Sequence, residues 1–249
     1  MAFAKEQGWI AHGRSTVEED YIAQFDLVVF ALYPHVFLDW LRQYQGYFKP
    51  GALLTDVTGV KNGIVQEVQG MLRQDLEFIA AHPMAGRECS GVENAKKEIF
   101  YDANYIVVPT EKNTQQAIDT CRALGETLGF HTISTLTPER HDEMIGFLSQ
   151  LTHCIAISLM TCRDTACLAE YSGDSFRDLT RIAKINETMW TELFLLNRDQ
   201  LIEQMDLFER TFRHLRDCIA DGRAEEIKEI MRQSTVQRGL FDKKESKVK

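Results

Sequence analysis

Phe78-Ile79-Ala80-Ala81-His82-Pro83-Met84-Ala85-Gly86 sets a histidine at the carboxyl end of an apolar run. A short run of this kind, closed by a proline, reads as a buried strand. Pro83 stops it, and Gly86 lets the backbone turn. In an open α/β sheet the carboxyl ends of the strands face the ligand crevice, so a base placed there can reach a substrate. An isolated histidine more often does no more than satisfy a loop. The rest of the chain decides between the two readings.

On either side of this stretch, short apolar runs alternate with longer amphipathic ones, the pattern of βα units and a mainly parallel sheet. The pattern predicts strands over Asp26–Leu32, Ala52–Asp56, Glu77–Ala81, Tyr105–Val108 and Thr132–Thr135. Between them it predicts helices over His35–Tyr47, Lys61–Leu72 and Thr114–Leu128. From Pro138 onward the alternation stops and proline does not recur, which leaves long helices free to form. Thr137 and Pro138 make an N-cap and first-turn signal, with Glu139 near the positive end of the helix dipole. Helices are predicted over Pro138–Ala169, Ser175–Lys184, Glu187–Asp221 and Arg223–Arg238. The expected organisation is an α/β segment over residues 1–137 and an all-helical one over 138–249.

Composition removes several classes of function. A net charge of -9 argues against nucleic acid as a partner, which requires a basic face to neutralise phosphates. Cys89, Cys121, Cys154, Cys162, Cys167 and Cys218 form no Cys-x-x-Cys pair, so reduced thiols in a cytoplasmic protein are expected and a metal site is not. The start of the chain turns polar at once, unlike a secretory signal, and no uninterrupted apolar run approaches the roughly 18 residues of a membrane span.

Three further groups carry chemistry. Asp56-Val57-Thr58-Gly59-Val60-Lys61 follows the second strand and opens a helix, where backbone N–H groups meet cofactors and substrates, although most such turns are simple structure. Asp178 and Arg181 lie three apart, on one face of a helix, so the arginine could be a fixed fork for a carboxylate or half of a solvated salt bridge. His153 sits inside the apolar helical run Leu148–Met160, a setting usual for a satisfied core histidine.

Taken together, Asp56 to Lys61, His82 to Gly91, His153, Phe176 to Ala183 and Trp190 resemble the prephenate dehydrogenase family of tyrosine biosynthesis, which includes arogenate dehydrogenases. The resemblance runs from about Ala2 to Arg238. It implies a Rossmann-like parallel sheet followed by an all-α dimerisation domain, hence a homodimer, with NAD or NADP as cofactor and no role for a membrane. It implies oxidative decarboxylation of prephenate to 4-hydroxyphenylpyruvate, or the corresponding reaction of arogenate. His82 would be the base and Glu88 would gate or polarise the site. Arg181, steadied by Asp178, would bind a substrate carboxylate beside His153 and Trp190. Leu32, Tyr33, Thr58 and Gly59 would contact the cofactor.

The chain departs from the family at named places. No Gly-x-Gly-x-x-Gly occurs, and Met1–Ile10 resembles the helix after the family's second strand, so an N-terminally truncated sheet is expected. Such a chain could also be a non-catalytic remnant that keeps the dimer and a ligand pocket. The family commonly has Ser where Gly59 stands, hydrogen-bonded to the histidine, and Thr58 is expected to substitute for it. Gln150 and Thr152 stand where His and Pro are frequent.

Overall fold

The computed structural model of the chain describes residues 1–86, 91–164 and 167–242. Helices α1 (Ala2–Glu6) and α2 (Glu19–Ile22) precede β1 (Leu27–Phe30), α3 (Pro34–Tyr44), β2 (Leu53–Asp56), α4 (Ile64–Met71) and β3 (Glu77–Pro83). Then come β4 (Asn104–Val108), α5 (Gln115–Leu128) and β5 (Thr132–Thr135). The remaining helices are α6 (Pro138–Ile145), α7 (Thr152–Thr161), α8 (Asp174–Thr180), α9 (Glu187–Leu196), α10 (Arg198–Ala220) and α11 (Ala224–Gly239). Met1–Leu201 form one compact unit, and the chain from Ile202 onward forms another.

The strands lie in the order β1-β2-β3-β4-β5. β1, β2 and β3 are parallel, as are β4 and β5, but β3 and β4 pair antiparallel, with Pro83 opposite Tyr105. The reversal follows from the connection. A parallel return needs a crossover that carries the chain back along the sheet, usually an α-helix. Between β3 and β4 the described residues hold only the short 3₁₀ turns Val92–Asn94 and Lys97–Phe100, so β4 begins where β3 ends.

β3 is buried on both faces, as its unbroken apolar run requires. Phe78 and Ala80 join Phe30, Phe37, Leu41, Leu54 and Val65 on the side of α3 and α4. Ile79 and Ala81 join Tyr105, Val107, Ala117 and Cys121 on the side of α5. The two-residue period of a strand puts His82 on the Phe78–Ala80 face.

Caps hold the helix ends where the sequence places them. The Thr114 hydroxyl accepts from Ala117 N–H at 3.1 Å, and Gly129 closes α5 at φ 85°. The Thr137 hydroxyl accepts from Arg140 N–H at 3.2 Å, with Pro138 in the first turn of α6.

The helical region differs from expectation in three places, one of them the end of α8 at Thr180, short of the expected Lys184. The helix from Pro138 ends at Thr161 and contains a π turn, Gly146–Leu151, that links α6 to α7. Its length and composition would suffice to cross a bilayer, although no uninterrupted apolar run does so. Yet its buried side carries His141, Asp142 and Gln150. The expected helix over Glu187–Asp221 is broken at Asn197, whose side chain donates to the Asp142 carbonyl at 2.9 Å and to Gln150 Oε1 at 2.7 Å.

Gly125 lets α5 approach β4 closely: a Cβ there would stand 2.6 Å from Cδ1 of the buried Tyr105 ring. Gly125→Ala is expected to lower stability by about 1–3 kcal/mol through overpacking, read as a lower urea midpoint. Gly46→Ala, which meets nothing within 4 Å, should leave the midpoint nearly unchanged.

Candidate functional site

The site grows from the end of β2. Asp56 is wholly buried, and its carboxylate is met by Ala81 N–H at 3.1 Å, Thr58 N–H at 3.1 Å and the Lys61 ammonium at 2.7 Å. A buried carboxylate persists only with such partners. Lys61 is equally buried and also donates to Thr58 Oγ1 at 3.1 Å. Burial pushes the Lys61 pKa below the ordinary lysine range, and the charge of Asp56 opposes that shift.

The next turn is held from outside the sheet. Asp142 on α6 accepts the backbone N–H of Lys61 at 2.8 Å and of Asn62 at 2.7 Å. The same carboxylate meets His141 Nδ1 at 2.6 Å, and His141 Nε2 lies 2.9 Å from His82 Nδ1. His141 and Asp142 are buried, whereas His82 is partly exposed. Burial, then the neighbouring His141 and Lys61, holds the His82 pKa well below the usual histidine range. Burial also lowers that of His141, with the Asp142 contact working against it.

Gly59 faces the other edge of the ring. A Cβ at that position would stand 3.9 Å from His82 Nε2 and 3.5 Å from the Leu193 methyl carbons. The missing side chain keeps an approach to Nε2 open. The expectation that Thr58 hydrogen-bonds the histidine is corrected here. Its buried hydroxyl is engaged with Asp56, Val60 and Lys61, and the Nδ1 partner of His82 is His141.

His153 and Trp190 come together, ring centroids 3.7 Å apart and planes inclined by 31°. His153 Nδ1 lies 2.9 Å from the Ser149 carbonyl, so that nitrogen donates and Nε2 is left as an acceptor. Burial lowers the His153 pKa. Trp190 also packs beside Phe194 and against the apolar cluster that contains Val60 and Leu193. Gln150, at the position where the family often has His, donates to the Leu193 carbonyl at 2.9 Å and so fixes α9 against the π turn.

Other expected residues are placed differently. α8 ends at Thr180, and Arg181 lies in the 3₁₀ turn Arg181–Ala183, which packs against α7. The expected i,i+3 pairing is not made: among the described residues no ion pair joins Asp178 to Arg181. It is Arg177 that pairs with Asp174, at 2.6 Å. Leu32 and Tyr33 are exposed just beyond β1, where Tyr33 OH accepts from Asn186 Nδ2 at 3.0 Å. Beside them the Glu192 carboxylate accepts His35 N–H at 2.6 Å and meets His35 Nδ1 at 2.7 Å, at the start of α3. Glu88 lies outside the described residues.

Sequence reasoning missed His141 and Asp142. A signal was present: Pro138, His141, Asp142 and Ile145 are the buried positions of α6 and follow the i, i+3, i+4, i+7 spacing of a core-facing stripe. Polar residues on such a stripe have work to do inside the protein.

Comparison with known proteins gives one consistent result. The family profile described as prephenate dehydrogenase, nucleotide-binding domain, matches residues 6–134, and that described as prephenate dehydrogenase, dimerization domain, matches residues 137–233. Prephenate dehydrogenase of Bacillus subtilis (strain 168) is 30% identical over 180 residues, which cover 70% of this chain and 48% of that protein. Cyclohexadienyl dehydrogenase of Zymomonas mobilis is 28% identical over 75% of this chain and 65% of its own length. The chain therefore spans about half to two thirds of these relatives, 48% and 65%. Prephenate dehydrogenase from A. aeolicus, solved in complex with hydroxyphenyl propionate and NAD+, superposes with a TM-score of 0.86 at 27% identity, covering 97% of this chain and 85% of that one.

The Asp56–Lys61 pair generates a stability prediction. Lys61→Met leaves a buried carboxylate without its counter-ion and is expected to cost about 3–5 kcal/mol in urea unfolding. Adding Asp56→Asn should recover part of that loss. A double variant as unstable as the sum of the two single ones would show that the groups do not act as a pair.

Proposed function

Because the chain belongs to the prephenate dehydrogenase family, we propose that it carries out the oxidative decarboxylation of prephenate to 4-hydroxyphenylpyruvate, with NAD or NADP, as a cytoplasmic homodimer. The observation that carries the reading is a histidine at the carboxyl end of a central strand, held at Nδ1 by His141 and open at Nε2 beside Gly59. Arogenate is the second reading, supported by the similarity to a cyclohexadienyl dehydrogenase.

The residues suit the chemistry. A bound nicotinamide dinucleotide supplies the acceptor for the hydride that leaves the ring carbon bearing the hydroxyl. Leu32 and Tyr33 beyond β1, with the Thr58–Gly59 turn beyond β2, would hold it, and the space left by Gly59 suits a ring close to His82. Thr58 would contribute through its backbone, since its hydroxyl is buried. His82 Nε2 accepts the hydroxyl proton as the hydride departs, which leaves a ring carbonyl. The ring carboxylate then leaves as CO₂. The electron pair of the broken C–C bond moves through the ring onto the carbonyl oxygen, which takes a proton and completes the aromatic phenol. Arg181 binds a substrate carboxylate, and the His153–Trp190 stack lines the same pocket. Asp178 remains a candidate wall of that pocket, without the pairing to Arg181. Glu88 keeps the gating role that the resemblance gives it.

The dimer is supported by the profile matched over residues 137–233 and by apolar side chains exposed on the second unit, among them Phe208, Phe212, Ile219, Met231, Val236 and Leu240.

Steady-state assays of nicotinamide reduction with prephenate or arogenate test the reading. His82→Asn is expected to lower turnover by about two to four orders of magnitude with a much smaller change in KM. Arg181→Ala should do the reverse, weakening substrate binding by roughly 2–5 kcal/mol while the hydride step suffers less. Near-normal turnover of the His82 variant would remove it from the mechanism. Sedimentation velocity at micromolar concentration should show a dimer, and a compact monomer would contradict the proposed assembly.

A further inference from the structure

We infer that His141 and Asp142 are positioning residues for His82: together they fix its tautomer, so that Nδ1 carries the proton and Nε2 is presented as a free base beside Gly59. The inference rests on the reading of His82 as the base. It follows from a chain of obligatory donors.

Backbone amides can only donate, so the Lys61 and Asn62 N–H groups require Asp142 to accept at both carboxylate oxygens. Oδ1 also faces His141 Nδ1 at 2.6 Å, and an ionised carboxylate has nothing to give. His141 Nδ1 must therefore be the donor. A neutral imidazole with its proton on Nδ1 offers a lone pair at Nε2, and the atom 2.9 Å from that lone pair is His82 Nδ1. His82 must donate in turn. Its remaining nitrogen, Nε2, is left unprotonated on the side where Gly59 has no Cβ.

The charges around the ring favour the same arrangement. The titratable groups that act on His82 are His141 from α6 and Lys61 from the β2–α4 turn, and those that act on His141 are Asp142, Lys61 and Asp56, the last residue of β2. β4 contributes the apolar Ile106 opposite His82, and α9 contributes Leu193 near Gly59. Lys61 is already neutralised by Asp56. Asp142 is thus the carboxylate left to balance a proton that arrives at Nε2, and His141 transmits its influence across one ring. Burial alone would make His82 a poor base, and the relay offsets part of that loss without bringing a carboxylate into the substrate pocket.

Nitrogen-15 NMR of the imidazole rings in the full wild-type chain tests this. His82 and His141, identified by the signals lost in His82→Gln and His141→Gln, should both be neutral Nδ1–H tautomers near neutral pH. An Nε2–H tautomer at His82 would overturn the inference. Asp142→Asn should shift His82 toward the other tautomer, displace the acid limb of the kcat/KM profile, and lower kcat about ten- to a thousand-fold with little change in KM. If that variant does not fold by circular dichroism, His141→Phe keeps a ring in place while removing the acceptor, and the same changes are expected. Unchanged tautomer and pH limb in a folded variant would refute the relay while leaving His82 as the base. Indifference of turnover to His82→Asn would instead refute the base itself, whatever the tautomer.

Discussion

Three donors converge on the Asp142 carboxylate: the backbone N–H groups of Lys61 and Asn62 and the ring of His141. The two amides belong to the stretch that leads from β2 into α4, so a side chain on α6 fixes where that turn stands. The Asp142 carbonyl is engaged as well, by Asn197, whose side chain also reaches Gln150 and thereby the carbonyl of Leu193. Sheet, α6, π turn and α9 are thus tied through one residue. The apolar clusters supply most of the favourable burial, but burial itself is non-directional. A carboxylate with both oxygens committed is directional, and it sets the register in which His82, Gly59 and Leu193 face one another.

The elements that rest on local physics were legible in the sequence. β3 followed from its apolar run and the closing Pro83, α5 from its amphipathic pattern, and α6 from the Thr137 cap that the structure shows accepting from Arg140. Features that depend on distant partners were not. The antiparallel return of β4 goes with a connection whose described residues hold only short 3₁₀ turns. The break at Asn197 comes without Gly or Pro, because its amide finds buried partners on other elements. The end of α8 at Thr180 was not legible either: Arg181 lies in a 3₁₀ turn packed against α7, which lies about 20 residues earlier in the chain.

Within the site the same division holds. His82 could be singled out because its position at a strand end is a local fact, and His153 and Trp190 because a family pattern names them. Their mutual stacking needed the fold. The family's Ser and His are replaced by Gly59 and Gln150, and each replacement has a physical counterpart. With Gly59, the ring of His82 is held entirely from its other nitrogen. With Gln150, a long amide spans from the π turn to Leu193 and Asn197, a reach that a backbone of ordinary α-helical pitch would aim differently.

The strand order β1-β2-β3-β4-β5 bears on how the molecule assembles. Every strand pairs with its neighbour in the chain, so the sheet can grow by successive closures of modest loops, each at a small entropic cost. The ties of the site are of another kind. His82 to His141 spans 59 residues, Lys61 to Asp142 spans 81, and His35 to Glu192 spans 157. Closure cost rises only slowly with loop length, so these ties differ from the strand pairings less in entropy than in what they join: each requires two separately built elements to be placed together, and the orientation of the histidine is a property of the whole unit and of no single strand.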